Sequence, residues 1–189
     1  MHGESTLSRR ARWAGAEPIT NVLMAKTLAH PELVSLAAGF VDQQTLPAEP
    51  TRAALEAIWS EPDRARAALQ YGTTVGYLPL REAVLDRMLQ SDGASAAELN
   101  LSPEQVVITA GSNPLLHLVA DTLLDPSDIV ICGAPSYFVF MGTVHSLGAR
   151  TVGVRTDDHG LVPEAVEQEL VRRKAAGELG RVKAIYVTS

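Results

Sequence analysis

Short apolar runs recur through the second half of the chain: Val106-Val107-Ile108-Thr109, Ile129-Val130-Ile131-Cys132, residues 150–155 and residues 182–188. Their length and β-branched content predict buried strands. Helix-length segments separate them. Residues 112–124 carry Leu115, Leu116, Leu118, Val119, Leu123 and Leu124 around most of a helical circumference, which predicts a deeply covered helix with His117 as a core or boundary residue. Residues 138–147 read as a helix stopped by Gly148. After a strand at 150–155 and a turn at 156–160, residues 162–176 form a helix with Pro163 near its start. Its apolar positions are only Ala165, Val166, Leu170 and Val171, so most of its surface should be solvated. Strands alternating with helices imply an α/β fold with a mostly parallel sheet and flanking helices, in which residues 106–132 make a βαβ unit.

The first half has a different texture. A polar arm runs to about residue 33 and includes a short apolar helix around 19–29. Residues 35–40 are extended and end near Gly39, a residue suited to close backbone approach. A helix opens at Pro47 or Pro50 and ends at 60–62. Another begins at Pro79, with Leu80, Val84 and Met88 beside Leu85 and Leu89 predicting a wide buried stripe, and closes at 91–93. The expected organisation is therefore an arm (1–34), a helical segment with an intervening loop at 69–77 (35–104), and a sheet domain (105–189). That sheet is expected to be incomplete, because a parallel sheet is normally covered on both faces and the sequence ends at a fourth strand.

Composition narrows the function classes. The 189 residues are 46% hydrophobic and 20% charged, the pattern of a soluble globular protein. A net charge of −6 without grouped Lys and Arg argues against nucleic-acid binding. Cys132 is the single cysteine, so no intrachain disulfide forms, and the five histidines lack metal-ligand spacing. Ser8-Arg9-Arg10 has no apolar stretch after it, no segment has the length and hydrophobicity of a membrane span, and a cytoplasmic location is the default.

Candidate chemistry collects at two strand ends. Ala110-Gly111-Ser112-Asn113 precedes Pro114, which sits in a first helical turn without loss of a backbone donor. Free N–H groups, the Ser112 hydroxyl and the helix dipole together favour an anion there, above all a phosphate. The next strand leads to Gly133-Ala134-Pro135-Ser136-Tyr137, which places a flat aromatic at the neighbouring strand end, where ligands of open α/β sheets bind. On spacing alone two readings stand: a site for a phosphorylated planar ring, or a plain helix cap beside a packing tyrosine.

Thr109-Ala110-Gly111-Ser112-Asn113, Asp125-Pro126-Ser127-Asp128 and Ala134-Pro135-Ser136-Tyr137 resemble, in order and spacing, the start of the large domain of class I/II aminotransferases, which are fold-type I pyridoxal-phosphate enzymes. Upstream, 35–40 with Leu46-Pro47, and Leu69-Gln70-Tyr71-Gly72 with 76–81, resemble the same family. The resemblance implies amino-group transfer between an α-amino acid and a 2-oxo acid with pyridoxal 5′-phosphate as cofactor. It implies that Gly111, Ser112 and Asn113 hold the phosphate and that Tyr137 stacks on the ring. Tyr71 would reach the cofactor phosphate of a neighbouring subunit in a homodimer, Gly39 would lie near the substrate carboxylate, and the N-terminal arm would pack on the neighbour or cover the site.

The family's chemistry also needs a Schiff-base lysine in a Ser-x-x-Lys context. Lys26, Lys174 and Lys183 are the lysines here, and Leu23, Val171 and Gly180 stand three positions before them. No catalytic residue is therefore assigned within the chain, and the expectation is a fragment of a longer enzyme, inactive alone. A non-catalytic partner subunit of a full-length homologue is the competing class, and a lyase or decarboxylase on the same fold is the alternative within the enzyme class. The single glycine of Gly111-Ser112-Asn113 does not make a dinucleotide fingerprint.

Overall fold

Strand β1 (Ile129–Ala134) organises the sheet because nearly all of it is excluded from solvent. Val130 and Cys132 point to one face, where they meet Ala120, Leu124, Phe140, Val144 and Leu147. Ile131 points to the other, against Val154 and Val166, with Leu161, Leu170 and Val182 packed around them. A strand buried on both faces loses the polar alternation of a surface strand, which is why its sequence reads as an unbroken apolar run.

The computed structural model describes residues 6–14, 19–34, 36, 39 and 41–188. The chain divides into two units, Met1–Ala16 with Thr109–Ser189, and Glu17–Ile108. In the first unit α1 (Arg9–Trp13) and α7 (Ser112–Leu123) precede β1, followed by α8 (Phe138–Ser146), β2 (Arg150–Asp157), β3 (Gly160–Leu161), α9 (Pro163–Ala175) and β4 (Val182–Tyr186). The sheet order is β3-β2-β1-β4. β2 and β4 flank β1 in parallel, with Ile129 opposite Arg150 and Val182, and β3 folds back antiparallel on the end of β2. Helices α7 and α8 cover the Val130 face and α9 covers the Ile131 face. The α/β fold with a mostly parallel, partial sheet agrees with the sequence reading. Asp128 closes the turn before β1 by accepting from the Asp125 N–H at 2.9 Å, and Tyr186 of β4 stacks on Phe140 with centroids 4.1 Å apart.

The second unit holds α2 (Ile19–Ala29), α3 (Ala48–Trp59), α4 (Pro62–Leu69), α5 (Leu78–Asp92) and α6 (Ala96–Leu99). Pro47, Pro62 and Pro79 stand at or next to helix starts, and Gly93 caps α5 in the left-handed region at φ 62°. The Arg81 guanidinium donates to the Pro103 carbonyl at 2.9 Å and ties α5 to the following turn.

Several expectations are corrected. Among the described residues, 106–109 join no sheet; a backbone hydrogen bond runs from the Ile108 N–H to the Val75 carbonyl at 3.0 Å, and without a neighbouring strand an apolar run has no ladder to enter. The unit from 106 to 132 therefore has its helix and its second strand, and lacks its first. Helix α7 is not deeply covered. Only Ala120 within it is buried, while Leu115, Leu118, Val119 and Leu123 remain exposed, because the described residues pack on one face alone; His117 is exposed too. In α5 only Leu85 and Leu89 are buried, with Leu80, Val84 and Met88 exposed, so the stripe is narrow. The turn at 156–160 is a small hairpin, and α4 was masked in the sequence by alternating charged and small residues. Among the described residues no helix is long and apolar enough to cross a membrane.

Candidate functional site

The first unit brings together two chain segments that lead into helices. At the start of α7, Gly111 has φ 103° and ψ 175°, a conformation open to glycine and costly for other residues. That conformation bends the chain so that the first turn of α7 begins at Ser112. No side chain caps this N-terminus, and the first-turn N–H groups have no intrahelical acceptor. Ser112 and Asn113 are exposed beside it, and the Thr109 hydroxyl donates to the Gly111 carbonyl at 2.9 Å, which braces the bend. Space is also left open: a Cβ added to Gly111 would meet nothing within 4 Å.

At the end of β1 the Thr156 hydroxyl donates to the Ala134 carbonyl at 3.0 Å, and the Ala134-Pro135 peptide is cis. Ser136 and Tyr137 follow, both half-buried. The Tyr137 hydroxyl donates to Asn113 Oδ1 at 3.2 Å, so the ring and the α7 N-terminus are joined directly. Phe138 lies against the Tyr137 ring, with centroids 5.6 Å apart. Gly111, Ser112, Asn113 and Tyr137 thus converge as one constellation.

Sequence reasoning left Ser136 out of the site. Its Oγ is buried without a hydrogen-bond partner among the described residues, an arrangement that costs free energy unless something else supplies the partner. The available signal was its place between Pro135 and Tyr137 at the strand end.

Gly39 and Tyr71 belong to the second unit. Tyr71 is almost wholly exposed, with its N–H held by the Gln70 side chain at 2.9 Å. Gly39 is exposed, nothing lies within 4 Å of where its Cβ would be, and residues 35, 37, 38 and 40 of its segment lie outside the described residues. Lys26, Lys174 and Lys183 are exposed. Cys132 is buried in β1, and burial pushes its thiol pKa up, away from the thiolate that reactivity needs.

The donor set suits a phosphorylated aromatic cofactor. Backbone donors and a hydroxyl at a helix N-terminus match a phosphate, the half-buried ring matches a planar heterocycle, and the unpartnered Ser136 hydroxyl marks a polar demand beside them. A mostly parallel α/β sheet carries the Tyr137 side of this constellation at the end of β1, and the Gly111–Asn113 side opens α7 on the same unit.

No protein-family model matches the chain. Aromatic-amino-acid aminotransferase 1 of Thermococcus litoralis is 27% identical over 183 residues, covering 97% of this chain and 41% of the relative. The crystal structure of Pyrococcus horikoshii kynurenine aminotransferase, in complex with PMP, superposes with a TM-score of 0.79 at 29% identity, covering 96% of this chain and 42% of that one. The HTH-type pyridoxine biosynthesis transcriptional regulator PdxR of Corynebacterium glutamicum is 31% identical over 140 residues, covering 74% of this chain and 28% of the relative. The chain is homologous along nearly its whole length to fold-type I pyridoxal-phosphate-dependent aminotransferases, and corresponds to the N-terminal portion of these enzymes. It spans about two fifths of the length of the aminotransferases it matches.

Proposed function

We propose that this chain supplies the phosphate- and ring-binding part of a pyridoxal-phosphate-dependent aminotransferase, acting in amino-group transfer between an α-amino acid and a 2-oxo acid. The observation that carries the reading is the Tyr137–Asn113 hydrogen bond, which sets an aromatic ring beside an uncapped helix N-terminus. When bound, the cofactor supplies an electron sink for the substrate α-carbon. The residues of this chain bind and orient it. Ser112 and the first-turn N–H groups of α7 hold the phosphate, the α7 dipole favours its charge, and Tyr137 restrains the ring plane while Asn113 fixes the tyrosine hydroxyl. Proton transfer is assigned to none of Lys26, Lys174 or Lys183, and on this reading the chain alone is inactive. Tyr71 would reach the phosphate of a partner protomer in a homodimer, and Gly39 would lie near the substrate carboxylate. The working division of the chain is an arm (1–34), a helical and interface segment (35–104) and a cofactor domain (105–189), acting in the cytoplasm.

A second reading, cofactor binding without turnover, is favoured by the match over 140 residues to a protein named as a transcriptional regulator of pyridoxine biosynthesis. A partner subunit for a full-length homologue would fall under it.

The test uses pyridoxamine 5′-phosphate, which needs no lysine to bind. Titration of the full chain, read by calorimetry, should show saturable binding. Gly111→Ala should weaken it about tenfold, because an alanine held at this φ and ψ costs about 1–3 kcal/mol. Equal affinity for both proteins, or none for the unaltered chain, would refute the site. Adding a 2-oxo acid to the chain alone should leave the bound pyridoxamine phosphate unconsumed on either reading, and consumption would overturn the assignment of proton transfer to none of Lys26, Lys174 and Lys183.

A further inference from the structure

The short helix α1 is not a free tail. Ser8 caps it by accepting the Ala11 N–H at 3.2 Å, and from it Arg10 reaches Asp121 near the end of α7, Nη1 to Oδ1 2.8 Å. Trp13 at its other end lies over Gly148, the residue just past α8. Gly148 has φ 79°, and a Cβ there would fall 2.7 Å from the Trp13 ring, so the glycine serves both the backbone reversal and the ring's seat. One five-residue helix therefore touches the C-terminal ends of both helices whose N-terminal ends are joined by Tyr137 and Asn113.

We propose that α1 is an intrachain strap, with Arg10 and Trp13 as positioning residues that hold the C-terminal ends of α7 and α8 together and so set the spacing of their N-terminal ends. Two helices packed side by side and tied at one end can splay only at the other. With α1 docked, splaying is opposed at both ends, and the gap between the Gly111–Asn113 bend and the Tyr137 ring is fixed. The consequence for cofactor affinity rests on the function proposed above; the strap itself does not.

The experiment is hydrogen exchange of the full chain, read by mass spectrometry, for the unaltered protein, Arg10→Glu, Trp13→Ala and the charge swap Arg10→Glu with Asp121→Arg. Arg10 and Asp121 are exposed, so these substitutions leave the core intact. Both single variants should speed exchange at residues 112–118 and 137–142, Arg10→Glu by roughly two- to fivefold, the range an exposed ion pair can shift a local opening equilibrium. The charge swap should restore the slow rate. Acceleration confined to residues 6–14, or a swap that restores nothing, would overturn the strap. Pyridoxamine 5′-phosphate affinity is read alongside. If the exchange pattern responds while the unaltered chain binds no pyridoxamine phosphate, the strap stands and the cofactor reading falls.

Discussion

Ile131→Ala is expected to destabilise the first unit by about 3 kcal/mol, within the 2–5 kcal/mol typical of large-to-small changes in a core. Ile131 has no accessible surface, and it sits where β1 meets both Val154 of β2 and Val166 of α9. Truncation removes transfer free energy and leaves a void that β1 cannot close, because its other face is already locked against α7 and α8. A domain with a total stability of roughly 5–15 kcal/mol loses a large fraction of it in this one step. Urea unfolding followed by circular dichroism should show a lower midpoint with an unchanged slope. Val187→Ala, at a position 52% exposed, is the control and should move stability by no more than about 0.5 kcal/mol. Equal losses at the two positions would mean that β1 is not the centre of the core. The same loss should appear at the candidate site, since β1 ends in the segment that carries Ser136 and Tyr137.

The strands that were legible in the sequence are those whose partners lie within it. β2 and β4 each pair with β1, so the apolar runs and the structure agree. Residues 106–109 have the same composition and pair with no strand among the described residues, and composition alone cannot report which strands pair. Helix ends were legible wherever a single residue dictates backbone geometry, as Pro79 and Pro163 do at starts and Gly93 and Gly148 at ends. Burial was less legible. The leucines of α7 announce a helix with apolar character on many sides, but which sides are covered depends on what lies opposite, and here only the side bearing Leu116, Ala120 and Leu124 meets the sheet. At the candidate site, Gly111, Ser112 and Asn113 were visible as residue types at a helix start and Tyr137 as one just past a strand. The Tyr137–Asn113 bond spans 24 positions, and the seat of Trp13 on Gly148 spans far more, so neither leaves a local pattern to read.

Arg173→Met is expected to destabilise the chain more than Glu169→Gln, although the two residues form one ion pair. The helix α9 was read as mostly solvated, yet Glu169 is buried, with its side chain only 1% accessible. Its carboxylate accepts from Arg173 Nε and pairs with Arg172 at 2.6 Å. Arg173 continues to Glu178 at 2.8 Å, and Glu178 to Arg150 at 2.9 Å, so the network fastens the end of α9 to the start of β2. Removing the glutamate charge leaves arginines that water can reach or that Glu178 still holds. Removing Arg173 instead leaves a buried carboxylate with only the largely exposed Arg172. An unpaired buried carboxylate costs about 3–5 kcal/mol, and the retained Arg172 and its surrounding water make that an upper bound for Glu169. The pH dependence has a definite sign. Hydrogen bonds from Arg150 and Arg173 lower the Glu178 pKa below its ordinary 4.5. A depressed carboxylate pKa contributes stability that is present above the unfolded value and is lost as pH falls through the folded one. The deficit of Arg173→Met should therefore be full at pH 7 and shrink as the pH drops below about 4.5, when Glu178, which has lost the guanidinium's hydrogen bond, protonates. Urea midpoints for both variants at pH 7 and pH 3 decide the matter. A deficit for Arg173→Met that is unchanged at pH 3, or smaller than that of Glu169→Gln at pH 7, would mean the arginine acts through packing of its stem and not through its charge.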